Sequence, residues 1–133
     1  MKILSLGGML LLVMLAGCAG ITASSRFEIY EDIQRAYRLA LRDSDFKAAA
    51  LVLDPAAQPE SIDYHQYDGF KVVRYEATKR SQADGGLEIK QEVEIQYYHV
   101  NRPVVKTLED HQLWRYQPDK KNWLLETGLP KFE

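Results

Sequence analysis

The sequence predicts an α+β fold in which two N-terminal helices pack on a curved four-stranded antiparallel sheet. Between residues 25 and 41, apolar residues recur every three or four positions, and from residue 70 onward they alternate with polar residues. Clusters of glycine, proline, asparagine and aspartate separate the alternating segments, as expected for hairpin turns. A chain of 133 residues has room for one ordinary domain, and this one shows no internal repeat.

The first helix is expected over residues 25–41. Ser25 is its predicted N-cap, because Glu28 follows three residues later in a capping-box arrangement. The segment Asp43-Ser44-Asp45 ends this helix and caps a second one over residues 46–53, which ends at Asp54-Pro55. The residues that share the apolar stripe of the first helix are Phe27, Tyr30, Ile33, Tyr37, Ala40 and Leu41.

Four strands are expected after a loop rich in proline and alanine. Their predicted ranges are Phe70–Ser81, Leu87–Val100, Val104–Gln117 and Asn122–Phe132. We predict a three-residue loop at 84–86, because a two-residue loop would place a polar side chain opposite Val93. The pairs that follow from this loop are Val73–Tyr97, Tyr75–Ile95 and Ala77–Val93.

The third strand carries the best candidates for chemistry. A two-residue turn at Arg102-Pro103 gives the pairs Tyr97–Leu108, Ile95–Asp110 and Val93–Gln112, with Asp110, Gln112, Trp114 and Tyr116 on the inner face. A shift by one residue would turn His111 and Leu113 inward instead. In either register one titratable group, Asp110 or His111, faces the interior. There it can act as a general base or as an acid of raised pKa, unless it remains solvated. The two are not a dyad, because neighbouring residues on a strand point to opposite faces.

Aromatic residues suggest either a pocket or a core. The candidates for lining a pocket that takes a small apolar ligand are Tyr37, Tyr75, Tyr97, Trp114 and Tyr116. The alternative is an ordinary aromatic core with tyrosine hydroxyls at its rim. Tyr97 and Tyr98 point to opposite faces of the second strand, so one of them lies outside, where a homodimer could form through the sheet.

Composition excludes several classes of function. A formal net charge of −2, with 27% charged residues, excludes a basic nucleic-acid-binding protein and an acidic disordered chain. The single cysteine excludes an internal disulfide framework and a cysteine-rich zinc site. Because His65, His99 and His111 are scattered along the sequence, we expect neither a metal ion nor another cofactor. No serine lies in a nucleophile-elbow context, and no glycine-rich phosphate loop follows a strand.

The first 18 residues have the layout of a secretory signal. Lys2 precedes an apolar run that is too short to span a bilayer as a helix, and small residues follow it. The segment Leu15-Ala16-Gly17-Cys18 resembles the lipobox of bacterial lipoproteins. This resemblance implies cleavage before Cys18, lipid attachment to its sulfur and acylation of the new N-terminus, and Ala19 after it favours the outer membrane, facing the periplasm.

The expected organisation is a cleaved signal peptide at 1–17, a lipidated cysteine and tether at 18–25, and a single α+β domain at 26–133. The seven residues after Cys18 reach at most about 23 Å, so the domain lies close to the membrane. On the first helix Arg35, Arg38 and Arg42 form a basic stripe. The stripe is either a solvated face or a surface that contacts anionic headgroups.

A second resemblance concerns the fold. Two segments, 39–46 and 48–55, resemble the helix–helix opening of the nuclear transport factor 2-like superfamily. The ending, with Trp114 and Tyr116, a polar turn, then Trp123 and Leu125, is similar to the closing hairpin of that superfamily. The resemblance implies a curved sheet wrapped around the helices as a cone. Members include ketosteroid isomerase-like enzymes and many non-catalytic binding or dimerising domains, so the fold alone does not give the function.

The expected function is that of a membrane-anchored lipoprotein of the cell envelope, with a non-catalytic domain that binds a ligand or an envelope protein. The alternative is a small isomerase- or hydrolase-like pocket enzyme that uses Asp110 or His111. A third class is a structural component that acts through dimerisation. An open cone would favour binding or catalysis inside it, whereas a cone filled by side chains would leave the surface as the working part.

Overall fold

The computed structural model describes residues 22–58 and 60–133. Helix α1 spans Ala23–Arg42 and helix α2 spans Phe46–Ala49. The strands are β1 (Phe70–Ala83), β2 (Glu88–His99), β3 (Arg102–Gln117) and β4 (Asn122–Leu125), which form one antiparallel sheet in the order β1-β2-β3-β4. The predicted α+β class and the four-stranded antiparallel sheet are therefore confirmed. The predicted signal peptide, Cys18 and the start of the predicted tether lie outside the described residues.

Helix α1 begins earlier than predicted and buries one polar residue in its apolar stripe. Its N-cap is Thr22 rather than Ser25, because the Thr22 hydroxyl accepts a hydrogen bond from the Ser25 backbone N–H at 3.2 Å. The fully buried positions are Tyr30, Gln34, Tyr37 and Leu41, at spacings of four, three and four. Gln34 thus places an amide between the helix and the sheet. Among the described residues no helix is long and apolar enough to cross a membrane.

Helix α2 is shorter than the predicted range of 46–53. The chain continues as a 3₁₀ turn over Ala50–Val52, after which Leu53 forms an isolated parallel bridge with Leu125. The Asp54 backbone N–H also donates to the Leu125 carbonyl at 2.9 Å. Pairing with the last strand therefore competes with helix continuation at this point.

The predicted pairing of β1 with β2 is correct at its centre. Tyr75 lies opposite Ile95 and Ala77 opposite Val93. Tyr97 lies opposite Val72 instead of Val73, because the register shifts between Val72 and Arg74. A second shift occurs between Ala77 and Lys79, so that Lys79 pairs with Glu92 and Arg80 with Gln91.

The predicted pairing of β2 with β3 is wrong by two residues. The turn lies at Val100-Asn101 rather than at Arg102-Pro103, and β3 already begins at Arg102. Because side chains alternate with a period of two, an even shift leaves every residue on its predicted face. The pairs observed are Tyr97–Lys106, Ile95–Leu108, Val93–Asp110 and Gln91–Gln112.

The last strand ends at Leu125, seven residues before its predicted end at Phe132. Gly128 has a φ of +84° and Pro130 has no backbone donor, so the chain cannot continue as a regular strand. Phe132 still packs into the core, where its ring centroid lies 4.6 Å from that of Tyr97 and 5.4 Å from that of Phe70. The C-terminal segment therefore contributes to the core by packing and not by strand pairing.

Candidate functional site

The aromatic residues proposed to line a pocket instead fill the space between α1 and the sheet. Tyr37 and Trp114 are 1% and 0% exposed, and their ring centroids lie 5.7 Å apart in an edge-to-face arrangement. The Tyr37 ring also meets the ring of Tyr75 edge-on, at a centroid distance of 6.3 Å. The Tyr37 hydroxyl has no hydrogen-bond partner within the described part of the chain. This part of the interior is packed core.

The other two pocket candidates lie on opposite sides of this cluster, far from each other. Tyr97 packs against Phe132, and its hydroxyl accepts the Glu133 backbone N–H at 3.3 Å. Tyr116 packs against Trp123, with ring centroids 5.4 Å apart. Tyr97 pairs with Lys106 of β3, ten residues from Tyr116, which corresponds to about 33 Å along a strand. The five candidates therefore do not line one pocket.

A hydrogen-bonded network of glutamines lies between α1 and the sheet, and no sequence pattern predicted it. Gln91 and Gln112 are 2% and 3% exposed and lie opposite each other on β2 and β3. The Gln91 amide donates to Gln112 Oε1 at 3.2 Å, and the Trp114 indole N–H donates to the same oxygen at 3.0 Å. Buried amides of this kind need partners, because an unpaired polar group costs about 1–3 kcal/mol.

The network ends at an acid. The Gln112 amide donates to Asp110 Oδ2 at 2.9 Å and to the Tyr75 hydroxyl at 3.0 Å. The Tyr75 hydroxyl in turn donates to Gln34 Oε1 at 2.9 Å. Burial raises the pKa of Asp110, while the hydrogen bond from Gln112 and the nearby His111 oppose this effect.

The other end of the network is a cation. Arg80 Nε donates to Gln91 Oε1 at 3.0 Å, and the Tyr30 hydroxyl donates to the same oxygen at 2.6 Å. The Arg80 guanidinium also lies over the rings of Tyr30 and Phe27, at 5.1 and 5.6 Å from their centroids. Arg80 faces the helix only because of the register shift before Lys79, since regular alternation from Ala77 would turn it outward.

Asp110→Asn should raise the melting temperature at pH 7. The pKa of Asp110 is raised in the folded protein, so its ionised form destabilises the fold as the pH rises through that pKa. The advantage of the variant should shrink as the pH falls and Asp110 becomes protonated. Thermal unfolding at several pH values measures this, with the exposed Asp119→Asn as control. A lower melting temperature for Asp110→Asn at pH 7 would show that the carboxylate is needed for the network.

His111 points away from the helix, on the face opposite to Asp110. Its Nδ1 lies 3.8 Å from Glu92 Oε1, and its Nε2 lies 3.6 Å from Glu109 Oε1. The imidazole is therefore outside the core and among carboxylates. His65 and His99 lie elsewhere, the first beside the Asp68 carboxylate at 3.2 Å and the second beside the Asp68 backbone carbonyl at 3.1 Å.

A small cleft opens between α1 and β1, directly above the cationic end of the network. Its volume is about 280 Å³, and its charged lining consists of Glu31, Arg35, Arg38 and Arg80. Gln34 and Tyr75 of the network also line it. Arg42, the third arginine of the stripe found in the sequence, does not. Sequence reasoning found Arg35 and Arg38 but missed Arg80, because only the register of β1 brings it to the helix.

The charges of this cleft are partly uncompensated. Arg35 NH1 lies 3.1 Å from Asp32 Oδ1. Arg38 has no carboxylate partner within 4.0 Å among residues 22–58 and 60–133. Glu31 is the one acid beside the arginines in the lining, so the cleft is positive.

Comparisons of the chain with protein-family models, curated proteins and solved structures give no match.

Proposed function

We propose that this protein is a lipid-anchored component of the bacterial cell envelope whose domain binds an anionic ligand, without catalysis, in the cleft between α1 and β1. The observation that carries the proposal is the convergence of Arg35, Arg38 and Arg80 on one cleft with a single acid, Glu31, in its lining. Guanidinium groups bind carboxylates and phosphates through paired hydrogen bonds. The anchor rests on the lipobox-like segment that ends at Cys18, and the proposed outer-membrane location rests on Ala19 after it.

The cleft is preorganised on its strand side. Arg80 is held by the hydrogen bond from its Nε to Gln91 and by stacking over Tyr30. A guanidinium that is fixed before the ligand arrives loses less conformational entropy on binding. Arg35 and Arg38 lie on the exposed surface of α1, so their side chains can adjust to the ligand. A volume of about 280 Å³ suits one phosphate- or carboxylate-bearing group and not a large apolar ligand.

The fold proposed here is a nuclear transport factor 2-like cone. Two helices followed by an antiparallel meander support it, as does the packing of α1 through Tyr30 and Tyr37 against Trp114 on β3. An open cone would favour a ligand site in its interior. Here the buried Tyr37 and Trp114 side chains support a site at the edge of the helix instead.

The alternative of a small isomerase- or hydrolase-like enzyme depends on Asp110. Its burial and raised pKa favour this reading. We rank it second because the carboxylate already accepts the Gln112 amide, and because Tyr37 and Trp114 occupy the space where a substrate would lie. Dimerisation through the sheet ranks third, because the centre of the outer face carries the charged side chains Glu92, Glu94 and Lys90.

Arg38→Gln should weaken binding of inorganic phosphate by about 10- to 100-fold, since a hydrogen bond to a charged group is worth about 1.5–3 kcal/mol. The full-length protein in detergent micelles would be titrated with phosphate and followed by NMR, with sodium chloride at equal ionic strength as the reference. Arg102→Gln is the matched control, because Arg102 is an exposed arginine on the β2–β3 hairpin, outside the cleft lining. Equal phosphate affinities of the two variants would contradict the proposed site.

A further inference from the structure

The outer face of β2 and β3 brings an imidazole and two carboxylates together. Glu92 lies directly opposite His111, and Glu94 lies directly opposite Glu109. His111 and Glu109 are two residues apart on one strand, so they share a face. One ligand atom from each of Glu92, Glu109 and His111 can be chosen so that all three lie within 4.8 Å of one another.

Carboxylates also lie opposite one another on this face. Glu76, Glu94 and Glu109 lie in one row across β1, β2 and β3. Glu76 is paired with Arg74, but Glu94 forms no ion pair within the described residues. Like charges directly opposite each other destabilise a sheet. A bound cation beside Glu109 would relieve this repulsion.

We propose that Glu92, Glu109 and His111 bind a divalent transition-metal ion, with Zn²⁺ as the best match. An imidazole nitrogen with two carboxylate oxygens is a donor set that zinc accepts, whereas calcium and magnesium prefer oxygen ligands alone. Tetrahedral coordination at about 2.1 Å requires ligand atoms about 3.4 Å apart. In the structure the two carboxylates lie at opposite ring nitrogens of His111, Glu92 3.8 Å from Nδ1 and Glu109 3.6 Å from Nε2. One of these exposed side chains must therefore rotate before both carboxylates can meet an ion at a single nitrogen, and ligand atoms within 4.8 Å of one another leave that rotation short.

The surroundings of Glu92 favour one orientation of its carboxylate. Lys79 Nζ lies 3.4 Å from Glu92 Oε2, and this contact leaves Oε1 on the side of His111. Such outer contacts orient metal ligands and raise affinity. Three protein ligands leave a zinc ion an open position. That position would face a groove of about 770 Å³ lined by Glu92, His111 and Leu113, so a small donor ligand could complete the coordination.

The three ligands of this site lie on the face of the sheet opposite to the arginine cleft, although Arg80 also lines the groove beside them. Arg80, which pairs with Gln91, faces the helix, while Glu92 and His111 face away from it. The metal-site proposal can therefore be contradicted by experiment while the anion-site proposal stands, and the reverse also holds.

The test is a Zn²⁺ titration of the full-length protein in detergent micelles, in competition with a chromophoric chelator. A Cys18→Ser background excludes zinc binding by the Cys18 thiol of any chain that has not been lipidated. We expect one saturable site whose affinity falls by at least about tenfold in His111→Ala and in Glu92→Gln. His65→Ala is the matched control, because its imidazole is also exposed and lies beside a carboxylate, Asp68.

The control should retain the zinc affinity of the parent protein. In ¹H–¹⁵N spectra the ring signals of His111 should shift on addition of zinc, whereas those of His65 should not. His111 has a side-chain exposure of 69%, so the variant is expected to fold normally. Equal affinities of His111→Ala and His65→Ala, or no saturable binding at all, would overturn the proposal.

Discussion

Replacing Trp114 by alanine is expected to lower the free energy of unfolding by about 3–5 kcal/mol. The side chain is 0% exposed, and its ring packs edge-on against Tyr30 and Tyr37 of α1. Its loss would open a cavity at the centre of the helix–sheet contact. It would also remove the indole N–H that donates to Gln112 Oε1 at 3.0 Å. Urea denaturation followed by far-UV circular dichroism measures the change.

Two controls separate packing from hydrogen bonding in this experiment. Val105→Ala, at a position that is 56% exposed, should change the free energy of unfolding by less than about 0.5 kcal/mol. Trp114→Phe keeps an aromatic ring but loses the N–H, so it should fall between the wild type and the alanine variant. If Trp114→Ala lowers the free energy of unfolding by less than about 1 kcal/mol, the interior is not packed as described. Such a result would support an interior ligand pocket.

Replacing Cys18 by serine is expected to move the protein from the membrane fraction to the soluble fraction. Cys18 lies outside the described residues, and the prediction rests on the lipobox-like Leu15-Ala16-Gly17-Cys18. Two or more acyl chains anchor a protein stably, whereas a single chain gives only marginal binding. The described helices supply no alternative span. Fractionation of cells that express each form measures the effect.

Intact-mass measurement of the wild-type protein should show the acyl chains, and globomycin should block its processing. Ser24→Ala is a suitable control, since it changes the chain near the tether without touching the cysteine. Unchanged membrane attachment of the Cys18→Ser variant would refute the lipid anchor. In that case the domain would still bind phosphate through Arg38, so the two parts of the proposed function can be tested separately.

Alternation separated the two faces of each regular strand, but it did not fix the pairing. A turn at Arg102-Pro103 predicted Asp110 and Trp114 on the helix side, and a shift by one residue left His111 as the alternative. The structure has Asp110 and Trp114 on the helix side and His111 on the outer side. The register is nonetheless shifted by two residues, because the turn forms at Val100-Asn101. A shift by two conserves faces and changes partners. As a result Glu92, and not Glu94, lies opposite His111.

Both candidate sites depend on which residues of neighbouring strands lie opposite each other. Arg80 joins the cleft because the register of β1 shifts before Lys79, and no sequence pattern marks that shift. The glutamine network is similarly invisible, since Gln34 and Gln112 are 78 positions apart in the chain. Short-range periodicity carries no information about contacts over such separations.

By itself the sequence determined the α+β class, the order of two helices and four strands, and which residues of a regularly alternating strand share a face. These properties follow from local spacing, because a helix and a strand each impose their own period on apolar residues. Only the tertiary structure decided that Tyr37 and Trp114 fill the interior, that Arg80 joins Arg38, and that Glu92 meets His111. Those outcomes depend on the strand register and on side-chain packing between segments that are distant in the sequence. Register and packing are determined over the whole domain, by how much apolar area is buried and by how many buried polar groups find hydrogen-bond partners.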